Sequence, residues 1–175
     1  LEFIKDQKEK PFYVNAWLSD VHATLNPSKE QMQRVIDETG WRWPLKGVPY
    51  SSPEQVYFAT LLEMDKQIGI FLNKIENMGL SENTLIIFSS DNGPEEIMIN
   101  NSRHSGLGST GPLRGRKRSI YEGGVRVPFI LKWPGQIPEG KVNIESVVSG
   151  VDFLPTIANI VGGELDENLQ LDGED

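Results

Sequence analysis

The sequence predicts an α/β fold, with helices laid on the faces of a largely parallel sheet. Three observations carry this reading. Residues 84–89 (TLIIFS) and 127–133 are short runs of branched and aromatic side chains that read as strands. Residues 53–78 carry apolar side chains at helical steps. Along the chain the order is strand, helix, strand, loop, strand, helix. In open sheets of this kind ligands sit beyond the carboxyl ends of the strands, which marks the residues that follow each strand.

The elements are justified in order. Residues 11–18 (PFYVNAWL) read as a buried strand, followed by a polar loop at 19–26 that holds His22. Residues 28–38 suit a short helix with Ser28 as cap and Gly40 after it. Pro44, Gly47 and Pro49 make 41–50 irregular. For the helix at 53–78, Ser52 is the N-cap, Pro53 takes the first helical position and Gln55 completes a capping box. Its apolar stripe is Leu61, Met64, Ile68, Phe71, Ile75 and Met78, and Gly79 stops it.

Residues 84–89 are apolar on both faces, as in a central parallel strand, and end in the tight turn Ser90-Asp91-Asn92-Gly93. The Gly- and Ser-rich loop from Pro94 to Arg126 is long enough to suggest function. After the strand at 127–133 come a short strand at 145–149 and a helix at 153–161, capped by Asp152 and stopped by Gly162-Gly163. Residues 1–175 are expected to be one partial domain, with the acidic 164–175 expected to start a connection toward a further region.

Composition narrows the function. The chain has 175 residues, 38% hydrophobic and 24% charged, ordinary values for a globular chain. No apolar run is long enough to span a membrane. Without cysteine there is no disulfide and no thiolate metal site. A formal net charge of -8 disfavours nucleic acid and anionic membranes. Against that balance, Arg103, His104, Arg114, Arg116, Lys117, Arg118 and Arg126 gather in one segment. A local cationic loop on an acidic chain suits a specific small anion.

Asp91 and Asn92 offer a carboxylate and an amide oxygen at a strand end, donors that Ca²⁺ or Mg²⁺ accept. D-N-G is equally a common turn. Lys117 can hold an oxyanion, or belong to a solvated basic loop. His22 serves as proton donor, ligand or ordinary surface residue, and His104 has the same range. Tyr121 and Glu122 read as strand-edge packing and a salt bridge to Arg126.

Together the pieces match a family. Ser-Asp-Asn-Gly-Pro at 90–94, Gly-Pro-Leu-Arg-Gly-Arg-Lys at 111–117 and Tyr-Glu-Gly-Gly-Val-Arg-Val-Pro at 121–128 resemble the second half of the sulfatase catalytic domain. Residues 11–17 with His22, the helix at 57–80, Trp133-Pro134-Gly135, residues 152–156 and Leu171-Asp172-Gly173 fit the same pattern. The resemblance, to arylsulfatase- and N-acetylgalactosamine-6-sulfatase-like members of the alkaline phosphatase superfamily, implies an α/β sandwich. Its central sheet is mostly parallel, with helices on both faces.

The resemblance implies roles as well. Asp91 and Asn92 would be two ligands of a divalent metal, usually Ca²⁺ (or Mg²⁺). Lys117 would contact the sulfate. His22 would contact it too, or protonate the leaving oxygen. His104 and Arg114 are substrate-contact candidates. The family's nucleophile is a formylglycine in a [CS]-x-P-[SA]-R motif, which this sequence lacks. Ser51-Ser52-Pro53-Glu54-Gln55 misses the Arg, and residues 25–29 have Leu at the nucleophile position. The paired aspartates that share the metal are missing too.

The expectation is an internal piece of an extracytoplasmic sulfatase acting on sulfated sugars, inactive alone. Two rivals stay open: a phosphodiesterase or phosphonate hydrolase of the same superfamily, and a non-catalytic module that holds anionic glycan on the 114–126 loop.

Overall fold

The computed structural model describes residues 1–40, 52–96, 104–166 and 168–175. The irregular stretch expected at 41–50, and Arg103, lie outside them. The chain divides into two compact units, Leu1–Pro138 and Glu139–Asp175.

In the first unit, helix α1 (Glu2–Gln7) was not expected from the charged start. Helix α2 (Lys29–Thr39) begins where Ser28 and Gln31 cap each other reciprocally: Ser28 Oγ accepts the Gln31 N–H at 3.2 Å, and Gln31 Oε1 accepts the Ser28 N–H at 2.7 Å. It ends at Gly40, whose left-handed φ of 66° lets its N–H reach the Ile36 carbonyl. Helix α3 (Pro53–Asn77) starts on Ser52, which accepts the Gln55 N–H. The Gln55 side chain does different work from the expected capping box. It is buried and donates to the Met32 carbonyl of α2 at 3.3 Å.

Met32 and Val35 of α2 pack on Val56 and Ala59 of α3, with Leu25 and Leu62 against them. Burying each large apolar side chain is worth about 1.5–3 kcal/mol. The Arg34–Glu63 pair between the same helices (3.2 Å) is partly open to water, where such pairs contribute under about 1 kcal/mol. Apolar contact therefore decides this packing. Of the expected stripe, Ile75 is buried. Leu61, Met64 and Ile68 instead join Phe58 and Phe88 around an open apolar hollow of about 540 Å³.

Strands β1 (Ile86–Ser89) and β2 (Phe129–Lys132) pair antiparallel, from Ile86 opposite Lys132 to Ser89 opposite Phe129. The Ser89 hydroxyl also donates to the Pro128 carbonyl at 3.0 Å. This corrects the parallel reading of residues 84–89 as far as its partner in the described sheet is concerned. Among the described residues the intervening chain holds no long crossover helix, only α4 (Glu122–Val125) and a 3₁₀ turn at Ser105–Leu107. It therefore returns beside the strand it left. Two expected strands are absent. Residues 11–18 and 145–149 have no strand assignment, and Tyr13, Trp17 and Val147 are exposed. Branched and aromatic residues form a strand only where another backbone supplies the ladder, and no described segment does so here.

The second unit is built on helix α5 (Phe153–Ile160). Asp152 precedes it as expected but bonds elsewhere. Its carboxylate accepts the N–H groups of Ser149 (2.6 Å) and Glu174 (3.1 Å), pinning the acidic tail.

Candidate active site

The D-N-G turn follows β1 directly. The Asn92 amide donates to the Asp91 carboxylate at 2.7 Å, and the Ser90 hydroxyl donates to the Asn92 carbonyl at 3.0 Å. Asp91 is exposed, Asn92 partly so and Gly93 buried. Two backbone bonds tie this turn to the basic segment. The Gly93 N–H donates to the Gly124 carbonyl at 2.8 Å, and the Lys117 N–H donates to the Pro94 carbonyl at 2.9 Å. Lys117 and the Asp91–Asn92 turn therefore share one place in the fold.

Glycine makes that approach possible. A Cβ on Gly93 would overlap the Gly123 carbonyl, one on Gly123 the Gly115 carbonyl, and one on Gly124 the carbonyls of Ser119 and Arg116. The E-G-G run is thus a site where three backbones meet too closely for any side chain.

The basic residues separate by role. Arg116 is partly buried and donates to three carbonyls: Glu95 (3.0 Å), Gly106 (2.5 Å) and Gly108 (2.6 Å). Arg118 pairs with the Glu95 carboxylate. That hydrogen bond is the main reason the Glu95 carboxyl lies below its ordinary range; the Glu96 N–H and the charges of Arg118 and Lys117 add to it, and burial opposes. Arg114 lies over the Tyr121 ring, 3.8 Å from its centroid, a cation–π contact. Arg126 pairs with Glu122 at 2.9 Å, as the sequence suggested. Among the described residues no ion pair or hydrogen bond engages the Lys117 ammonium, and Lys117 is partly exposed. His104 precedes the 3₁₀ turn at Ser105–Leu107, whose Gly106 carbonyl Arg116 holds.

His22 lies on a different pocket. Its ring Nδ1 is 3.0 Å from the Ala23 carbonyl. A carbonyl only accepts, so Nδ1 carries that proton and Nε2 is left for other chemistry. The pocket, about 340 Å³, is lined by Asp20, Thr24, Asn26, Gln31, Thr60 and Glu63 among others, and by none of Asp91, Asn92 or Lys117. His22 and Lys117 share one feature. The two non-glycine residues with positive φ among the described residues are Val21 (62°) and Arg118 (72°), immediate neighbours of His22 and Lys117. Such strain persists only where surroundings over-determine it, and it clusters at functional sites.

The donors at Asp91 and Asn92 are of the hard-oxygen type that suits Ca²⁺ or Mg²⁺. Among the described residues no group of three or more His, Cys, Asp or Glu side chains gathers to hold a metal. Sequence reasoning missed Glu95 and gave Arg116 no role of its own. The signal available was the basic run itself.

The family model for sulfatases matches residues 1–163. The chain belongs to the sulfatase family. Human steryl-sulfatase is 34% identical over 99% of this chain and 27% of its own length. Human arylsulfatase A is 41% identical over 66% of this chain and 21% of its own. Among solved structures, one from the glycosaminoglycan metabolism of Bacteroides thetaiotaomicron superposes with a TM-score of 0.76. It is 27% identical, covering 99% of this chain and 33% of that one. Ps i-CgsB in complex with k-i-k-neocarrahexaose gives a TM-score of 0.69 at 30% identity, over 87% of this chain and 29% of its own. This sulfatase chain therefore spans about a fifth to a third of the length of the proteins it matches. No helix among its described residues is long and apolar enough to cross a membrane.

Proposed function

We propose that this chain is part of the catalytic domain of a sulfuric ester hydrolase that acts, in its full-length form, on sulfated sugars. The observation that carries the reading is the backbone coupling of the Lys117 loop to the Asp91–Asn92 turn, in a chain of the sulfatase family. It holds the backbone that bears Lys117 to the residues of the turn at a strand end, and this supports a site for an anionic ester there. The family match and the glycan-related structures support sulfate ester chemistry on sugars.

In this reading the Lys117 ammonium stabilises charge on the sulfate oxygens. The departing alkoxide needs a proton; His22 contacts the sulfate or supplies that proton from Nε2 as an imidazolium, with Nδ1–H kept on the Ala23 carbonyl. His104 and Arg114 contact the substrate. Asp91 and Asn92 hold a divalent metal, Ca²⁺ or Mg²⁺, with further ligands; bound there it would add positive charge at the same oxygens. The nucleophile is a formylglycine supplied from outside these 175 residues. Residues 1–175 then form part of one domain, whose mostly parallel sheet is completed elsewhere. The enzyme works in an extracytoplasmic compartment.

The test compares inorganic sulfate and phosphate release from matched esters by the full-length protein, before and after chelation. Preferential sulfate release, lost on chelation and restored by Ca²⁺ or Mg²⁺, is expected. Preference for a phosphodiester or phosphonate, or glycan binding with no turnover, would overturn the reading.

A further inference from the structure

We infer that Arg116 is a positioning residue that fixes Lys117 against the Asp91–Asn92 turn; the inference rests on the reading of Lys117 given above. Arg116 carries the charge of a ligand-binding arginine, but its donors are spent on backbone. Nε serves the Glu95 carbonyl, and one Nη2 serves the carbonyls of Gly106 and Gly108. These oxygens belong to two segments. Glu95 lies just past the Asp91–Gly93 turn, while Gly106 and Gly108 flank Leu107 beyond His104. The third segment is the one that bears Arg116, and Lys117 is its next residue. One guanidinium thus ties together the backbones that present Asp91, Asn92, His104 and Lys117.

Neighbouring contacts make the arrangement stiff. The Lys117 N–H is held by the Pro94 carbonyl. Arg118, at a φ of 72°, is held by the Glu95 carboxylate. The Tyr57 phenol of α3 lies near Gly108, where an added Cβ would come within 3.3 Å of its oxygen. A planar fork with fixed N–H directions can serve several carbonyls at once. A lysine in its place brings one nitrogen on a flexible stem.

The test is a double-mutant cycle in the full-length enzyme, using Arg116→Ala, Lys117→Ala and the pair, with kcat, KM and the thermal midpoint measured for each. Arg116→Ala is expected to lower kcat about 10²-fold, the order of loss that a misplacement of about 1 Å produces, with KM little changed. In the Lys117→Ala background the same change should cost no more than about twofold, because residues acting through one another are not additive. Arg116→Lys, which keeps the charge, should not restore kcat. If Arg116→Ala fails to fold, the same cycle with Arg116→Lys decides the matter.

A full second loss on top of Lys117→Ala, or full activity in Arg116→Lys, would overturn the positioning role and leave the Lys117 reading standing. Near-normal kcat in Lys117→Ala itself would overturn that reading, and this inference with it.

Discussion

Replacing Gly93 by alanine adds one methyl group at the point where the D-N-G turn meets the E-G-G run. The added Cβ would overlap the Gly123 carbonyl and sit 3.1 Å from the Gly124 Cα. Both are backbone atoms that cannot swing aside. Overpacking of this kind costs about 1–3 kcal/mol. Pushing the turn and α4 apart also weakens the 2.8 Å bond from the Gly93 N–H to the Gly124 carbonyl, worth about 1 kcal/mol. A total of about 3 kcal/mol corresponds to a fall of about 6–12 °C in the unfolding midpoint for a chain of this size. Gly69 is the control. It lies inside α3 with nothing within 4 Å of its would-be Cβ. Gly69→Ala should gain about 0.5–1 kcal/mol from helix propensity. Thermal unfolding followed by circular dichroism reads both. A Gly93→Ala midpoint within a degree of the parent, or an equal fall in Gly69→Ala, would refute the close-approach argument.

Two further predictions concern charge and chemistry. Glu95 is held below its ordinary value of 4.5, chiefly by Arg118. Its contribution to stability is thus fully present above that pH and is lost as pH falls through the lowered folded value. Glu95→Gln should therefore lower the midpoint at neutral pH, with the gap to the parent closing below about pH 4.5; a gap that widens in acid would contradict the pairing. The 175-residue chain by itself should not turn over aryl sulfates with or without Ca²⁺, since it has no [CS]-x-P-[SA]-R nucleophile. Turnover by a sample shown by mass spectrometry to be free of longer enzyme would count against this.

Local signals were legible where a residue's own chemistry fixes its neighbours. Ser28, Gly40, Ser52 with Pro53, and the glycines after α5 mark helix ends through bonds made within a few residues. The D-N-G turn was legible for the same reason. Strands were less so, because a ladder needs a partner that the run itself does not name. Residues 84–89 and 127–133 found each other, antiparallel, while 11–18 and 145–149 found no partner among the described residues. The faces of β2 stay exposed, with Ile130 at 57%, in a chain that spans only part of its relatives' length. At the site, the sequence pointed to the cationic loop without separating its members. The separation into carbonyl clamp (Arg116), ion pair (Arg118) and ring contact (Arg114) depends on which group each reaches across a long loop. Gln55 shows the same limit: its spacing suits a cap, yet α2 offers it a buried carbonyl.

The most direct test of the account is kcat/KM for sulfate ester hydrolysis by the full-length enzyme carrying Lys117→Ala, set beside its unfolding midpoint. Lys117 stands on a loop fixed by backbone bonds to the D-N-G turn, and in the proposed reading its ammonium stabilises charge that grows in the transition state. Loss of such a donor costs about 10²–10³ in rate. The account predicts that loss with an unchanged midpoint, no rescue by Lys117→Arg, whose planar fork does not replace a compact ammonium, and a far smaller effect from Arg118→Ala. Near-normal kcat/KM in Lys117→Ala with the midpoint unchanged would contradict it, leaving Lys117 as surface charge.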